Sequence, residues 1–149
     1  MALIVQKYGG SSLADAEAIT KVARRIAASQ DEGNRVVAVV SAMGKTTDDL
    51  IAMARSVAPR PDPRELDVLL STGELVACTL MTMALRTLGY SAISLSGFQA
   101  GIHTDTAYGK ARIDRIDTSR LKTELAKGQV IVVAGFQGLG PDNRVTTLG

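Results

Sequence analysis

The sequence predicts an α/β fold built on a parallel sheet. Short runs of β-branched residues alternate along the chain with segments whose apolar residues recur at helical spacing. The runs are apolar nearly throughout, as strands covered on both faces are. Segments of ten or more residues separate them, which suits helical crossovers between parallel strands. With 149 residues, the chain has the length of one domain.

The first half of the chain predicts two strands, each followed by a helix. Residues 2–8 and 35–40 are the strands. The helix between them ends at Gly33, because glycine readily takes the conformation required just after a helix. A second helix covers residues 47–57 and reaches the proline-rich break 59–63.

The second half predicts two more strands and two more helices. A long helix runs from about residue 64 to 88, and the third strand covers 90–95. Residues 118–128 predict a helix with a terminal glycine, and 129–136 the fourth strand. The segment 97–117 is interpreted as a loop or a hairpin.

Composition excludes several functional classes. The chain is 46% hydrophobic and 21% charged, with a net charge of +2, which favours a globular protein and argues against a nucleic-acid partner. One His and one Cys rule out a Cys/His metal cluster and a Ser-His-Asp triad, so no metal site is predicted. We expect Cys78 in the core and His103 in a solvated loop. The single cysteine fits a reducing cytoplasm.

No targeting or membrane segment is predicted. The N-terminus lacks a basic region and a cleavage site of the secretory type. No apolar run approaches the roughly 18 residues that span a bilayer. The sequence therefore predicts a cytoplasmic protein without a membrane partner.

Glycine-rich polar segments follow all four predicted strands. They are KYGGSS (7–12), SAMGKTT (41–47), SGFQAG (96–101) and GFQGLG (135–140). In parallel α/β sheets, ligands bind outside the carboxyl ends of the strands. The four segments therefore predict one polar site at that edge of the sheet.

KYGGSS has two interpretations. It is either a tight strand-to-helix turn or a cradle for an anion. Glycines allow close backbone approach, and a helix N-terminus presents free amides. Lys7 adds a positive charge suited to phosphate.

GKTT (44–47) resembles the end of a P-loop, but the glycine that the motif requires five residues earlier is Val39. The alternative is a helix N-terminus capped by Thr46 or Thr47.

STGE (71–74) also has two interpretations. In the structural one it is a capping box, with Ser71 as the cap and Glu74 reaching back. In the functional one Glu74 faces the strand ends and holds a substrate ammonium group. Gly73 marks a bend or a close packing contact in the long helix.

Taken together, these segments resemble the N-terminal part of aspartate kinases, in the amino-acid kinase family. KYGGSS is similar to the family's K-[FY]-G-G-[ST]-S signature, and VVSAMGKTTDDL to its S-A-x-x-x-x-T substrate loop. LLSTGE is similar to its [ST]-x-G-E segment, and AGFQG and TTLG to its G-F-x-G and T-T-L-G stretches. The resemblance is collinear over all 149 residues and implies an amino-acid kinase-like α/β sandwich.

The resemblance assigns roles to residues. Lys7 is implied as the catalytic residue, and the ATP phosphates are assigned to Lys7, Tyr8, Gly9, Gly10 and Ser11. Ser41 and Thr47 are assigned to the aspartate carboxylates, and Glu74 to the amino group. The remaining residues of the implied substrate pocket are Lys45, Thr46, Phe136, Gln137, Gly138 and Thr147.

The implied reaction moves the γ-phosphoryl group of ATP, with Mg²⁺, to the β-carboxylate of L-aspartate, giving 4-phospho-L-aspartate. In the family this is the first step of lysine, threonine and methionine biosynthesis, carried out by oligomeric enzymes. A carboxylate with a pKa of about 3.9 is already ionised at pH 7, so no general base is required. The absence of a catalytic histidine is therefore no obstacle.

The sequence departs from the family pattern after TTLG. The family continues into R-G-G-S-D, a nucleotide-binding half and ACT domains, none of which follow Gly149 here. We therefore expect an N-terminal portion of the kinase domain with little activity by itself. The alternatives are a non-catalytic module that binds aspartate or a partner, and a related kinase acting on another carboxylate.

Overall fold

A computed structural model describes residues 1–149 and contains eight strands and four α-helices. Strands β1 to β8 span Leu3–Tyr8, Arg35–Val40, Ala92–Leu95, Ile102–Thr104, Ile113–Ile116, Val130–Ala134, Gln137–Gly140 and Arg144–Thr147. Helices α1 to α4 span Ala16–Asp31, Thr46–Val57, Pro63–Thr87 and Ser119–Ala126. Two short 3₁₀ helices span Gly10–Leu13 and Pro141–Asn143.

The main sheet is parallel, with the strand order β1-β2-β6-β3. These are the four strands that the sequence predicts, and the α/β fold class is confirmed. Every residue of β6 is buried, as expected of a central strand with helices on both faces.

Two hydrophobic clusters cover the two faces of this sheet. Alternate residues of β2 divide between them: Val36, Ala38 and Val40 belong to the larger cluster, and Val37 to the smaller. Helices α1 and α3 complete the larger cluster, whereas Leu125 of α4 packs in the smaller one. The face of β1 away from α1 has no helix over it, and Leu3 and Val5 are exposed there.

A second, smaller sheet was not predicted as such, but the hairpin interpretation of residues 97–117 is confirmed by the antiparallel pair β4 and β5. Its strand order is β5-β4-β7-β8, and only the β4–β7 pair is parallel. Its strands have three or four residues, and β7 contains two glycines, so the alternation that marks a strand is missing. His103 lies half-buried in β4, and its predicted place in a solvated loop is wrong.

The helix ends agree in part with the predictions. Gly33 and Gly128 have φ values of 89° and 79° directly after α1 and α4, as predicted. Helix α2 begins at Thr46, but no side chain caps it, because the Thr46 hydroxyl donates to the Met43 carbonyl at 2.5 Å. The predicted threonine cap is therefore wrong.

Helix α3 is continuous, so the capping-box interpretation of STGE is wrong. The helix begins instead at Pro63, and the Asp62 carboxylate accepts from the Glu65 amide at 3.1 Å. The Ser71 hydroxyl donates to the Val68 carbonyl within the helix. Glu74 consequently lies in the middle of the helix, so its side chain does not cap a helix terminus.

The prediction that no apolar segment is long enough to span a bilayer is wrong for helix α3. An 18-residue window of α3 has a mean hydropathy of 1.7, so by length and composition the helix could cross a membrane. Half of that window is buried, and Ala77, Cys78, Met81 and Leu85 pack in the larger cluster. The core helix of a globular protein has this composition too.

Candidate active site

A cavity of about 460 Å³ opens at the carboxyl ends of β1, β2 and β6. Ligand sites in proteins have volumes of roughly 300–1,000 Å³. Lys7 and Gly10 line the cavity after β1, and Glu74 reaches it from α3. The other lining residues are Val39, Val40, Ser41, Ala42, Gly44, Thr47, Gly135, Phe136, Leu148 and Gly149.

The loops after β1 and β2 cross in direct backbone contact. The Gly44 amide donates to the Gly10 carbonyl at 2.9 Å. A Cβ atom on Gly10 would lie 2.9 Å from the Gly44 oxygen and 3.0 Å from the Ala42 oxygen. Any side chain at position 10 therefore pushes the two loops apart.

Helix α3 packs closely on the loop after β2. A Cβ atom on Gly73 would lie 2.9 Å from the Ala42 Cβ atom, so of the two predicted alternatives, a bend or a close packing contact, the structure shows the packing contact. The next residue, Glu74, accepts a hydrogen bond from the Ala42 amide through Oε1 at 3.2 Å. This pair of contacts fixes the Glu74 carboxylate at the edge of the cavity.

Glu74 is the buried carboxylate of the cavity. The residue is 2% exposed, and its Oε2 atom has no hydrogen-bond partner in the protein. Burial raises the pKa of the carboxyl group, and hydrogen bonding with the backbone opposes that rise. A buried oxygen without a protein partner is suited to a cationic donor from a ligand, such as an ammonium group.

Phe136 holds a backbone conformation that is uncommon for a residue with a side chain, with φ at 65°. Two hydrogen bonds fix the chain around it. The Gly135 amide donates to the Val40 carbonyl, and the Leu148 amide donates to the Phe136 carbonyl, both at 2.9 Å. Such conformations persist where the surroundings impose them, often at functional sites.

Lys7 is the one basic side chain that lines the cavity. It is exposed at the carboxyl end of β1, where the chain passes through Gly9 into the first 3₁₀ helix. The neighbouring Tyr8 side chain points into the protein and donates to Gln6 at 2.9 Å. Lys7 and Glu74 thus give the cavity one group for an anion and one for a cation.

The structure brings part of the predicted set together. The predicted residues that line the cavity are Lys7, Gly10, Ser41, Thr47, Glu74 and Phe136. Five more predicted residues do not line the cavity but are sequence neighbours of residues that do: Tyr8, Gly9, Ser11, Lys45 and Thr46. Of the four predicted loops, the one after β3 does not line this cavity, and Ser96 and Phe98 line a separate cleft.

Three predicted residues do not line this cavity, and two of them, Gln137 and Gly138, line the separate cleft with Ser96 and Phe98. Gln137 is buried, accepts from the Gly97 amide at 3.2 Å and donates to the Ser71 carbonyl at 2.9 Å. Gly138 follows it in β7. Thr147 is fully buried, and its hydroxyl donates to Asp67.

The sequence reasoning missed Asp67 and Leu148. Asp67 lies on α3 seven residues before Glu74, and residues at that spacing share a helix face. An acidic residue on the same face of an apolar helix is the signal that could have identified it. Leu148 carries no such signal, because an apolar residue near a strand end is unremarkable in sequence.

The residues present fit a phosphate group better than they fit a metal ion. Lys7 supplies a positive charge, whereas Glu74 is the only carboxylate that lines the cavity. The structure contains no group of three His, Cys, Asp or Glu side chains that could hold a metal. These residues form no complete metal site among themselves, which is usual where Mg²⁺ is held chiefly by the phosphates of a nucleotide.

Comparison with known proteins identifies the family. The model of the amino acid kinase family matches residues 2–149. The chain belongs to this family. Aspartokinase 2 of Bacillus subtilis (strain 168) is 50% identical over 149 residues, which is 100% of this chain and 36% of that protein. The aspartokinase of Mycobacterium tuberculosis (strain ATCC 25618 / H37Rv) is 55% identical over 150 residues, again 100% of this chain and 36% of the relative.

Solved structures of amino acid kinases agree with this assignment. Aspartate kinase from Synechocystis matches with a TM-score of 0.83 at 44% identity, over 99% of this chain and 24% of that chain. E. coli aspartokinase III, solved in complex with aspartate and ADP in the R-state, matches with a TM-score of 0.86 over 100% of this chain and 44% of that chain. At 23% identity, the second match shows the fold alone. The predicted resemblance to aspartate kinases is confirmed, and the chain spans about a third of the length of the curated relatives.

Proposed function

We propose that this chain supplies the aspartate pocket and part of the phosphate site of an ATP-dependent aspartate kinase. The observation that carries the proposal is the free Oε2 atom of Glu74, buried at the edge of a cavity that Lys7 also lines. A ligand with an ammonium group and carboxylates matches these groups in charge. Relatives named aspartokinase, at 50% identity or above, support the choice of ligand.

Each side chain has a role in this proposal. Glu74 receives the ammonium group of aspartate, and the hydroxyls of Ser41 and Thr47 donate to its carboxylates. Lys7 neutralises phosphate charge, and Gly10 lets the backbone approach the phosphates closely. Phe136 covers part of the pocket wall.

The chemistry requires positioning rather than acid–base catalysis. ATP, when bound, supplies the phosphoryl group, and the β-carboxylate of aspartate is the nucleophile. This carboxylate is ionised at neutral pH, with a pKa of about 3.9 in its free form. The residues of the chain therefore hold two anions in line and offset their repulsion. Mg²⁺, when bound with the nucleotide, would supply charge neutralisation at the phosphates, and we propose no step through it.

A titration calorimetry experiment with L-aspartate tests the proposal. We expect saturable binding by the 149-residue chain and loss of at least tenfold in affinity, about 1.4 kcal/mol, for Glu74→Gln. Succinate has both carboxylates but no ammonium group, and we expect it to bind the wild-type chain as weakly as aspartate binds the variant. Equal affinity for aspartate and succinate would contradict the role of Glu74.

We further propose that the protein is a cytoplasmic enzyme of lysine, threonine and methionine biosynthesis and that it self-associates. The single cysteine is buried and forms no disulfide, in agreement with a reducing compartment. Self-association is supported by the outward face of α3, where Leu75, Val76, Leu80 and Met83 are exposed.

A further inference from the structure

Asp67 is a buried carboxylate for which the proposed chemistry has no use. It is 1% exposed and takes part in none of the four ion pairs of the structure. Three hydrogen bonds satisfy it. Oδ2 accepts from the amides of Gly109 at 3.0 Å and Thr147 at 2.9 Å, and Oδ1 accepts from the Thr147 hydroxyl at 2.9 Å.

These bonds join helix α3 to the end of β8. Asp67 lies two turns before Glu74 on the same helix face, so one rigid element carries both carboxylates. Thr147 is the last residue of β8, and the next residue, Leu148, lines the cavity. Asp67 therefore fixes the strand end from which this part of the cavity wall continues.

The connection continues to Phe136. The Leu148 amide donates to the Phe136 carbonyl at 2.9 Å, at the residue whose φ is 65°. An uncommon conformation of this kind needs surroundings that hold it. A continuous path of bonded neighbours thus runs from Asp67 through Thr147 and Leu148 to Phe136.

We propose that Asp67 is a positioning residue, which holds the Leu148–Phe136 wall of the cavity in place relative to Glu74. The proposal rests on the proposed function, because the wall matters for affinity only if aspartate occupies the cavity. Asp67 acts through Thr147 and does not touch the ligand. This role also accounts for Thr147, whose hydroxyl is directed to Asp67 and not to the cavity.

Three substitutions separate this role from a general contribution to folding. Asp67→Ala removes all three acceptor contacts. Asp67→Asn keeps them in altered form, because its amide oxygen can accept from both backbone amides while its NH₂ group donates to the Thr147 oxygen. Thr147→Val removes only the hydroxyl contact and leaves the backbone amide in place.

The first measurement is aspartate affinity by calorimetry. We expect Asp67→Ala to weaken binding about tenfold and Thr147→Val about threefold, whereas Asp67→Asn stays within about twofold of the wild type. Glu124→Gln is the matched control, because Glu124 is a buried carboxylate on α4 away from the cavity. Unchanged affinity in both Asp67→Ala and Thr147→Val would overturn the proposal. If Asp67→Ala does not fold, the aspartate affinity of Thr147→Val tests the proposal by itself.

The second measurement follows Phe136 directly. The chain has two phenylalanines, Phe98 and Phe136, so fluorophenylalanine labelling gives two fluorine NMR signals, and Phe98→Leu assigns them. We expect the Phe136 signal to shift or broaden in Asp67→Ala and Thr147→Val, and to return close to its wild-type position in Asp67→Asn. This measurement needs no ligand. If the Phe136 signal is unchanged in all three variants, the proposal is overturned. A wild-type chain that fails to bind aspartate, but shows these shifts, would instead overturn the proposed function.

Discussion

At the scale of single residues, Glu74 has one oxygen satisfied by the protein and one left free. The Ala42 amide satisfies Oε1, and Oε2 has no partner. Burial favours the protonated form and raises the pKa, so above the pKa of an exposed glutamate, about 4.3, this carboxyl group lowers the stability of the empty chain. A bound ammonium group offsets that cost, since it favours the ionised form.

This predicts a pH dependence of aspartate binding. As the pH falls through the raised pKa of Glu74, the carboxylate is protonated, and we expect the affinity to decrease in the range just above the usual glutamate value. Calorimetry at several pH values, in buffers of different ionisation enthalpy, measures the affinity and the proton released on binding. Glu74→Gln is the control and should show no proton release in this range. A wild-type affinity that stays constant from neutral pH down to the usual glutamate pKa of about 4.3 would contradict the assignment.

At the scale of elements, the cavity depends on the close crossing of two loops and a helix. Gly10 allows the loops after β1 and β2 to touch, and Gly73 allows α3 to pack against the second of them. Ala42 lies at both contacts, with its backbone oxygen towards Gly10 and its Cβ atom towards Gly73, and its amide donates to Glu74. Backbone geometry, more than side-chain chemistry, thus places the carboxylate.

Adjacent glycines allow a matched test of this packing. A Cβ atom at position 10 would lie 2.9 Å from a backbone oxygen, whereas one at position 9 would have no atom within 4 Å. We expect Gly10→Ala to lower the free energy of unfolding by about 1–3 kcal/mol, as overpacking does, and Gly9→Ala to change it by less than about 0.5 kcal/mol. Urea denaturation followed by circular dichroism measures both. Equal effects of the two substitutions would show that the crossing is not tightly packed.

At the scale of the whole molecule, apolar surface remains exposed in two places. One is the outward face of α3, and the other is the uncovered face of β1 around Leu3 and Val5. Strand β1 is also an unpaired edge of the parallel sheet. Surfaces of this kind favour association of copies of the chain.

We therefore expect concentration-dependent self-association in sedimentation velocity experiments. Val76→Lys or Met83→Lys places a charge on the exposed face of α3 and should shift the population towards the monomer. Thr123→Lys is the control, because Thr123 is exposed on α4. A wild-type chain that remains monomeric at all concentrations would show that these faces do not associate.

Much of the fold follows from local patterns. The four parallel strands and the four helices have sequence signals of apolar runs, helical spacing and terminal glycines, because each pattern reflects burial on a sheet face or a helix face. The second sheet has no such signal, since its strands are short and β7 is half glycine. Its pairing depends on contacts between residues far apart in sequence, such as His103 with Leu139.

The sequence by itself determined the family, the main sheet and the end of that sheet where a site forms, because those depend on periodicity and on short motifs. Only the tertiary structure decided what the motif residues do. Glu74 is a buried mid-helix carboxylate and not a helix cap, since α3 begins eleven residues earlier, at Pro63. Thr147 faces Asp67, a residue 80 positions away in sequence, and such a contact exists only once α3 and β8 have packed together.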